Sequence, residues 1–170
     1  MHKSLAVGLL AALTVTSCDA SRPPQAGALG AADLAAIQDS VRAFAADVAH
    51  GVTSQGPGAW RTYFADEPAF FMAAEGHLVF PTYDSARRAI TSVIRVMPRI
   101  ELRWIGDVRV DPLGHGLAVV AAPYHETQTN AQGQRNEEDG FFTGVAEHRS
   151  AGWQFRDAHW SVAAPPSMVR

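Results

Sequence analysis

The feature that most restricts the fold is a change of hydrophobic period at Pro98. Before it, apolar residues recur every three or four positions; after it, every second position. Leu34, Ile37, Val41, Phe44 and Val48 mark one face of an amphipathic helix that begins near Asp33 and that Gly51 is expected to close. A second, short helix is predicted after Pro57, carrying Trp60, Tyr63 and Phe64. Residues 69–80 hold two short β-type runs around Glu75-Gly76, a hairpin turn. Residues 81–97 are helical again. Ala86, Ile90, Val93 and Met97 lie on one side, Arg87, Arg88 and Arg95 largely on the other, and Pro98 ends the run.

Beyond Pro98, Ile100, Leu102, Trp104, Gly106 and Val108 alternate with Glu101, Arg103, Ile105, Asp107 and Arg109, so residues 100–110 read as one strand with one buried face. Residues 111–116 read as a turn, 117–129 as a long strand and 130–140 as a polar connection. A strand over 141–149, a turn at 150–152 and a final strand over 153–162 complete the pattern. Pro123 removes a ladder donor, which predicts a bulge or bend there. Glu137, Glu138 and Asp139 read as a solvated acidic turn, too short a run to fill the six to eight ligand positions of calcium. Helices first and long antiparallel strands after them make an α+β fold, with helices packed on one sheet face.

The first residues carry a different message. A basic start and an apolar run over residues 5–15, too short for a permanent bilayer span, read as an export signal. The signal ends Val15-Thr16-Ser17-Cys18, which resembles the bacterial lipobox; the resemblance implies that Cys18 is lipidated and that the signal is cut before it. The alternative is an ordinary cleaved signal with an incidental cysteine. Cys18 is the only cysteine in the chain, which rules out an intrachain disulfide. The expected organisation is a signal over 1–17, a Pro/Gly/Ala-rich tether over 18–31, one domain over 32–164 and a tail over 165–170. This implies an exported protein, lipid-anchored to the bacterial cell envelope, on the periplasmic side of either membrane or at the cell surface. The formal net charge is −3 and the arginines do not cluster, which argues against nucleic acid as a partner.

Two passages carry a resemblance that covers most of the chain beyond the tether. "YFADEPAFF" (63–71) and "GWQFRDAHWS" (152–161), in the order α-α-β-β-α-β-β-β-β, resemble the nuclear transport factor 2-like superfamily and its SnoaL-like and ketosteroid-isomerase-like domains. The resemblance implies a cone: a curved, largely antiparallel sheet, mixed in part, wrapped around three N-terminal helices. It further implies a small-molecule pocket inside the cone and a homodimer through the open sheet face. Trp160 and Val162 are expected on that open face.

On the last strand Trp153, Phe155, Asp157, His159 and Ser161 share one side by alternation. If the aromatic pair faces inward, Asp157 and His159 enter the pocket as an acid/base pair, with Tyr63 as a hydrogen-bond donor. The plainer reading is that the two side chains satisfy each other across strands. Trp60, Phe70, Met72, Trp104, Tyr124 and Phe142 are expected around a largely apolar cavity, although aromatic residues at such spacings also fill any small core. Among the superfamily's activities, steroid-isomerase chemistry is disfavoured because Met72 stands where the resemblance would put the base Asp. Dehydratase-like chemistry would draw on Tyr63, Tyr83, Asp157 and His159. The histidines show no metal-ligand spacing, and neither a phosphate loop nor a nucleophile elbow is present, so no metal and no cofactor are expected. The expected function is small-molecule binding, with a non-enzymatic dimerisation module and an isomerase, dehydratase or cyclase as alternatives.

Overall fold

A computed structural model describes residues 29–163. The Cys18 motif and the tail over 165–170 lie outside the described residues. Helix α1 spans Ala31–Gln55 and buries Ile37, Val41, Phe44 and Val48, the stripe that the periodicity predicts. It runs on past Gly51, which is not a helix end: it lies under the Tyr63 hydroxyl, where a Cβ would collide. The helix stops only at Gly56, whose φ of 74° is one that L side chains rarely adopt, and Pro57 follows. A 3-10 turn, Pro57–Ala59, leads into the short α2, Trp60–Tyr63. Helix α3, Tyr83–Val96, is capped by Thr82, whose Oγ1 accepts from the Ser85 amide while Ser85 Oγ accepts from the Thr82 amide.

Seven strands form one mixed, unclosed, curved sheet: β1 (Phe71–Ala74), β2 (His77–Phe80), β3 (Arg99–Trp104), β4 (Arg109–Gly114), β5 (Leu117–Thr129), β6 (Arg135–Arg149) and β7 (Gly152–Val162). The order is β2-β1-β7-β6-β5-β3, with β4 paired to the first half of β5. Only β1 and β7 run parallel. The β1–β2 turn is made by Glu75 and Gly76, both at positive φ, as a two-residue hairpin requires. Three expectations about strands change. Residues 100–110 are two strands, β3 and β4, and residues 111–114 continue β4 instead of turning. Pro123 pairs with Phe141 in unbroken register and is not a bulge. Its carbonyl accepts from the Ile105 amide, so its missing N–H falls on the side where β3 ends and β4 has not begun. Strand β6 begins at Arg135, which puts Glu137, Glu138 and Asp139 into the sheet and not in a loop.

Helix α1 lies on the inner face. The Phe44 ring sits 4.9 Å from Phe155, and Trp104 Nε1 donates to the Ala45 carbonyl at 2.7 Å. Thr53 Oγ1 exchanges hydrogen bonds with both the amide and the carbonyl of Leu102, which fixes the helix against β3. Phe70, Tyr124, Phe142 and Phe155 are the largest fully buried side chains. Each contributes about 1.5–3 kcal/mol of transfer free energy.

Candidate functional site

The inner face is not packed solid. A cavity of about 180 Å³ opens between the sheet and the helical layer. Pro57, Trp60 and Phe64 border it from the α2 region, Ile90 and Val93 from α3, and Met72 and Phe80 from the hairpin. Ile100, Tyr124 and Trp160 supply sheet walls, and two acids, Glu126 and Glu138, complete the lining. An apolar cavity of about 150 Å³ takes a benzene ring, so the space suits a one-ring molecule.

Four rings build the aromatic side of this wall. Trp160 is nearly perpendicular to both Trp60 (centroids 5.6 Å apart) and Tyr124 (4.8 Å). Behind it Trp104 lies almost parallel, at 13° and 6.1 Å. These edge-to-face and offset arrangements suit the ring quadrupoles and hold Trp160 in one orientation.

The acids come from facing strands. Glu126 on β5 is paired in register with Glu138 on β6, and residues directly opposite have Cβ atoms about 4.5–5.5 Å apart. Glu126 is 8% exposed. Its Oε1 accepts from Gln128 Nε2 at 2.7 Å. Burial pushes its carboxyl up to about 7; the Gln128 hydrogen bond works against that shift, and the charge of Glu138 adds to it. Glu138 Oε1 accepts from the Tyr124 hydroxyl at 3.2 Å. Burial raises the Tyr124 phenol, and the Glu138 charge and hydrogen bond raise it further, so the tyrosine remains a donor. A carboxyl titrating near neutrality beside a second acid, in an apolar cavity, is able to give or take a proton at physiological pH.

The acid and histidine of the last strand lie elsewhere. β6 and β7 shift register between Val145 and Ala146: Ala146 pairs with Phe155 and Val145 with Asp157, leaving Arg156 as the extra residue. This bulge reverses the alternation along β7. Phe155, Ala158 and Trp160 therefore point inward, whereas His159 is exposed on the outer face. The expectation that Asp157 and His159 enter the cavity is corrected on this ground. Asp157 Oδ1 accepts from the Val145 amide at 3.1 Å, closing the ladder at the bulge. Burial raises its pKa, against the Val145 hydrogen bond and the Arg156 charge.

Tyr63 also lies outside the cavity. Its hydroxyl donates to the carbonyl and to Oδ2 of Asp47 on α1, and neither residue borders the cavity. The Tyr83 hydroxyl donates to the Arg61 carbonyl. Of the six expected ligand contacts, Trp60, Met72 and Tyr124 border the cavity. Phe70 and Phe142 are fully buried core and Trp104 supports Trp160, so these three do not line it. Trp160, expected on the open face with Val162, is a cavity wall, and the register of Val162 with Gly140 puts it on the same side. Among the described residues there is no cluster of three or more side chains able to hold a metal ion.

Neither acid is expected at the cavity from the sequence reading above, for different reasons. Glu126 falls on the apolar side of residues 117–129, in step with Val120, Ala122 and Tyr124, and simple alternation marks it. Glu138 sits in a stretch whose composition is that of a loop. Only its pairing partner, β5, reveals it as a strand residue.

No family model matches the chain, and no curated protein matches it by sequence. Solved structures do match. A nuclear transport factor 2-like superfamily protein from Salmonella enterica serovar Typhimurium superposes with a TM-score of 0.67 at 14% identity, covering 80% of this chain and 97% of its own. A ketosteroid isomerase-like protein from Erwinia carotovora atroseptica gives 0.59 at 16% identity, over 75% and 97%. A hexachlorocyclohexane dehydrochlorinase, LinA type 2, gives 0.61 at 14% identity, over 81% and 99%.

Proposed function

Because the chain has the nuclear transport factor 2-like fold, we propose that it holds a small, largely apolar molecule in the cone and that Glu126 exchanges a proton with it. The observation that carries this reading is the pairing of Glu126 with Glu138 inside an otherwise apolar cavity. A buried acid without a cation partner costs stability, and such costs concentrate at functional sites. The chemistry these groups support is cofactor-independent proton transfer of the isomerase, dehydratase or cyclase type, with Glu126 as acid or base and Tyr124 steadying Glu138. Among fold neighbours, a ketosteroid isomerase-like protein and a dehydrochlorinase are consistent with it. The test is calorimetric titration with one-ring compounds, which reads binding without relying on the four tryptophans. A wild-type response that Met72→Trp, which fills the cavity, abolishes supports the reading; a response that survives the filling sinks it.

A second reading rests on the outer sheet face. Among the described residues no helix covers it, and Phe71 and Phe141 stand 44% and 46% exposed there. We propose homodimerisation through this surface, centred on these phenylalanines and not on Trp160. Light scattering checks it: Phe141→Asp should halve the mass, and a monomeric wild type would end the idea.

The address is proposed separately. The motif at Cys18 supports a lipid anchor in the cell envelope, and loss of lipid-precursor label in Cys18→Ser is its test.

A further inference from the structure

The two faces of β6 treat their acids differently. On the outer face Asp139 lies 2.8 Å from the His125 imidazole, and Glu137 lies 3.8 Å from Arg135. On the inner face Glu138 and its opposite number Glu126 have only neutral donors, the Tyr124 hydroxyl and the Gln128 amide. Among the described residues no arginine, lysine or histidine borders the cavity, and no donor reaches Glu126 Oε2. Glu75 adds a third acid nearby: its Oε1 accepts from the Val162 amide at 2.5 Å, and its charge also acts on Tyr124.

Acids directly opposite each other repel, and a nine-tenths buried carboxylate without a cation is costly. The missing partner is a positive charge. Trp60, Tyr124 and Trp160 all line the same space, with Trp160 nearly perpendicular to the other two, and aromatic rings attract a cation over their faces. We infer that the ligand carries a cationic head, a protonated amine or quaternary ammonium, which sits between Glu126 and Glu138 while its apolar body lies against Met72, Ile90 and Val93. The inference rests on the cavity being a binding site, as proposed above, and adds the charge of what enters it. A neutral ligand would leave both acids facing each other. An anionic one would add a third negative charge.

The experiment is isothermal titration of the full-length chain at pH 8 with benzylamine and with benzyl alcohol, which share a ring and differ in charge. Benzylamine is expected to bind at least about tenfold more tightly, as a charge-assisted hydrogen bond supplies. In the double variant Glu126→Gln, Glu138→Gln that preference should fall to near parity. The variant removes a repulsion and so keeps its fold, which the melting curve verifies. Equal or tighter binding of benzyl alcohol to the wild type overturns the cation while leaving the cavity as a site. Binding of neither compound removes both. A benzylamine preference that persists unchanged in the double variant also overturns the inference, because the charge would then be read elsewhere.

Discussion

Glu126 and Glu138 face each other across β5 and β6, in direct register and on the inner side of the sheet, and neither has a cation for a partner among the described residues. The fold carries this pair at a cost, and the cost has a pH signature.

The Glu126 carboxyl sits near 7 in the folded chain against 4.5 unfolded, mainly through burial. The folded state therefore holds the extra proton between these values. The associated stability is complete below pH 4.5, declines as the pH rises to 7, and is absent above it. The loss is on the order of 3 kcal/mol. The groups around Glu126 are Gln128 and Tyr124 on its own strand and Glu138 on β6; Leu102, paired with it on β3, and Ile90 and Val93 from α3 are apolar. Urea midpoints across this window should fall in the wild type and stay flatter in Glu126→Gln.

Tyr124 reaches Glu138 because Gly140 leaves it room. A Cβ at position 140 would lie 2.5 Å from Tyr124 Cε1 and would also meet the Ser161 carbonyl. Gly140→Ala forces the ring or the strand to move, at about 1–3 kcal/mol. The hydrogen bond to Glu138 should weaken with it, so the tyrosine's ultraviolet titration should shift toward the ordinary phenol value. An unchanged titration would mean that the ring had found another route to the acid.

His159 and Asp157 separate cleanly as structural residues. His159 is exposed beside Thr143 on the outer face, so His159→Ala should alter stability by less than about 0.5 kcal/mol. Asp157→Ala removes the acceptor of the Val145 amide at the bulge and should cost about 1–2 kcal/mol. Neither should change ligand titrations that depend on Glu126.

Much of the architecture is legible in periodicity. The α1 stripe, the apolar side of α3 and the extents of β5 and β7 follow from residue spacing, because each element has one buried face. What periodicity cannot carry is a parity change within a strand. The bulge at Arg156 depends on the pairing of β6 with β7, and it moves Trp160 from the expected outer surface to the cavity wall while turning His159 away. The same holds for residues 135–139, polar on both sides, which become strand only because β5 offers thirteen residues to pair with. Where tertiary pairing decides parity, the candidate site shifted; where local pattern decides, Trp60, Met72 and Tyr124 stayed at the cavity.

The segment that leads from α2 into β1 is held by charge and not by apolar packing alone. Glu67 pairs with Arg149 Nη2 of β6, while Arg149 Nε lies 3.4 Å from Glu147 and Arg156 lies 3.7 Å from the other Glu67 oxygen. Glu67 is only 18% exposed, so losing Arg149 strands a partly buried carboxylate. Arg149→Met should cost about 2 kcal/mol, discounted from the fully buried case because solvent and Arg156 still reach Glu67. Glu67→Gln with Arg149→Met should recover part of that loss, since the more buried acid is then neutral while Glu147 and Arg156, which also lose a partner, remain open to solvent. Phe64 and Met72 flank this segment and border the cavity, so the single variant should also weaken benzylamine binding and the double variant restore it. Urea unfolding and the same calorimetric titration read both effects, and a single variant that unfolds normally yet binds normally would show that the clasp does not shape the cavity.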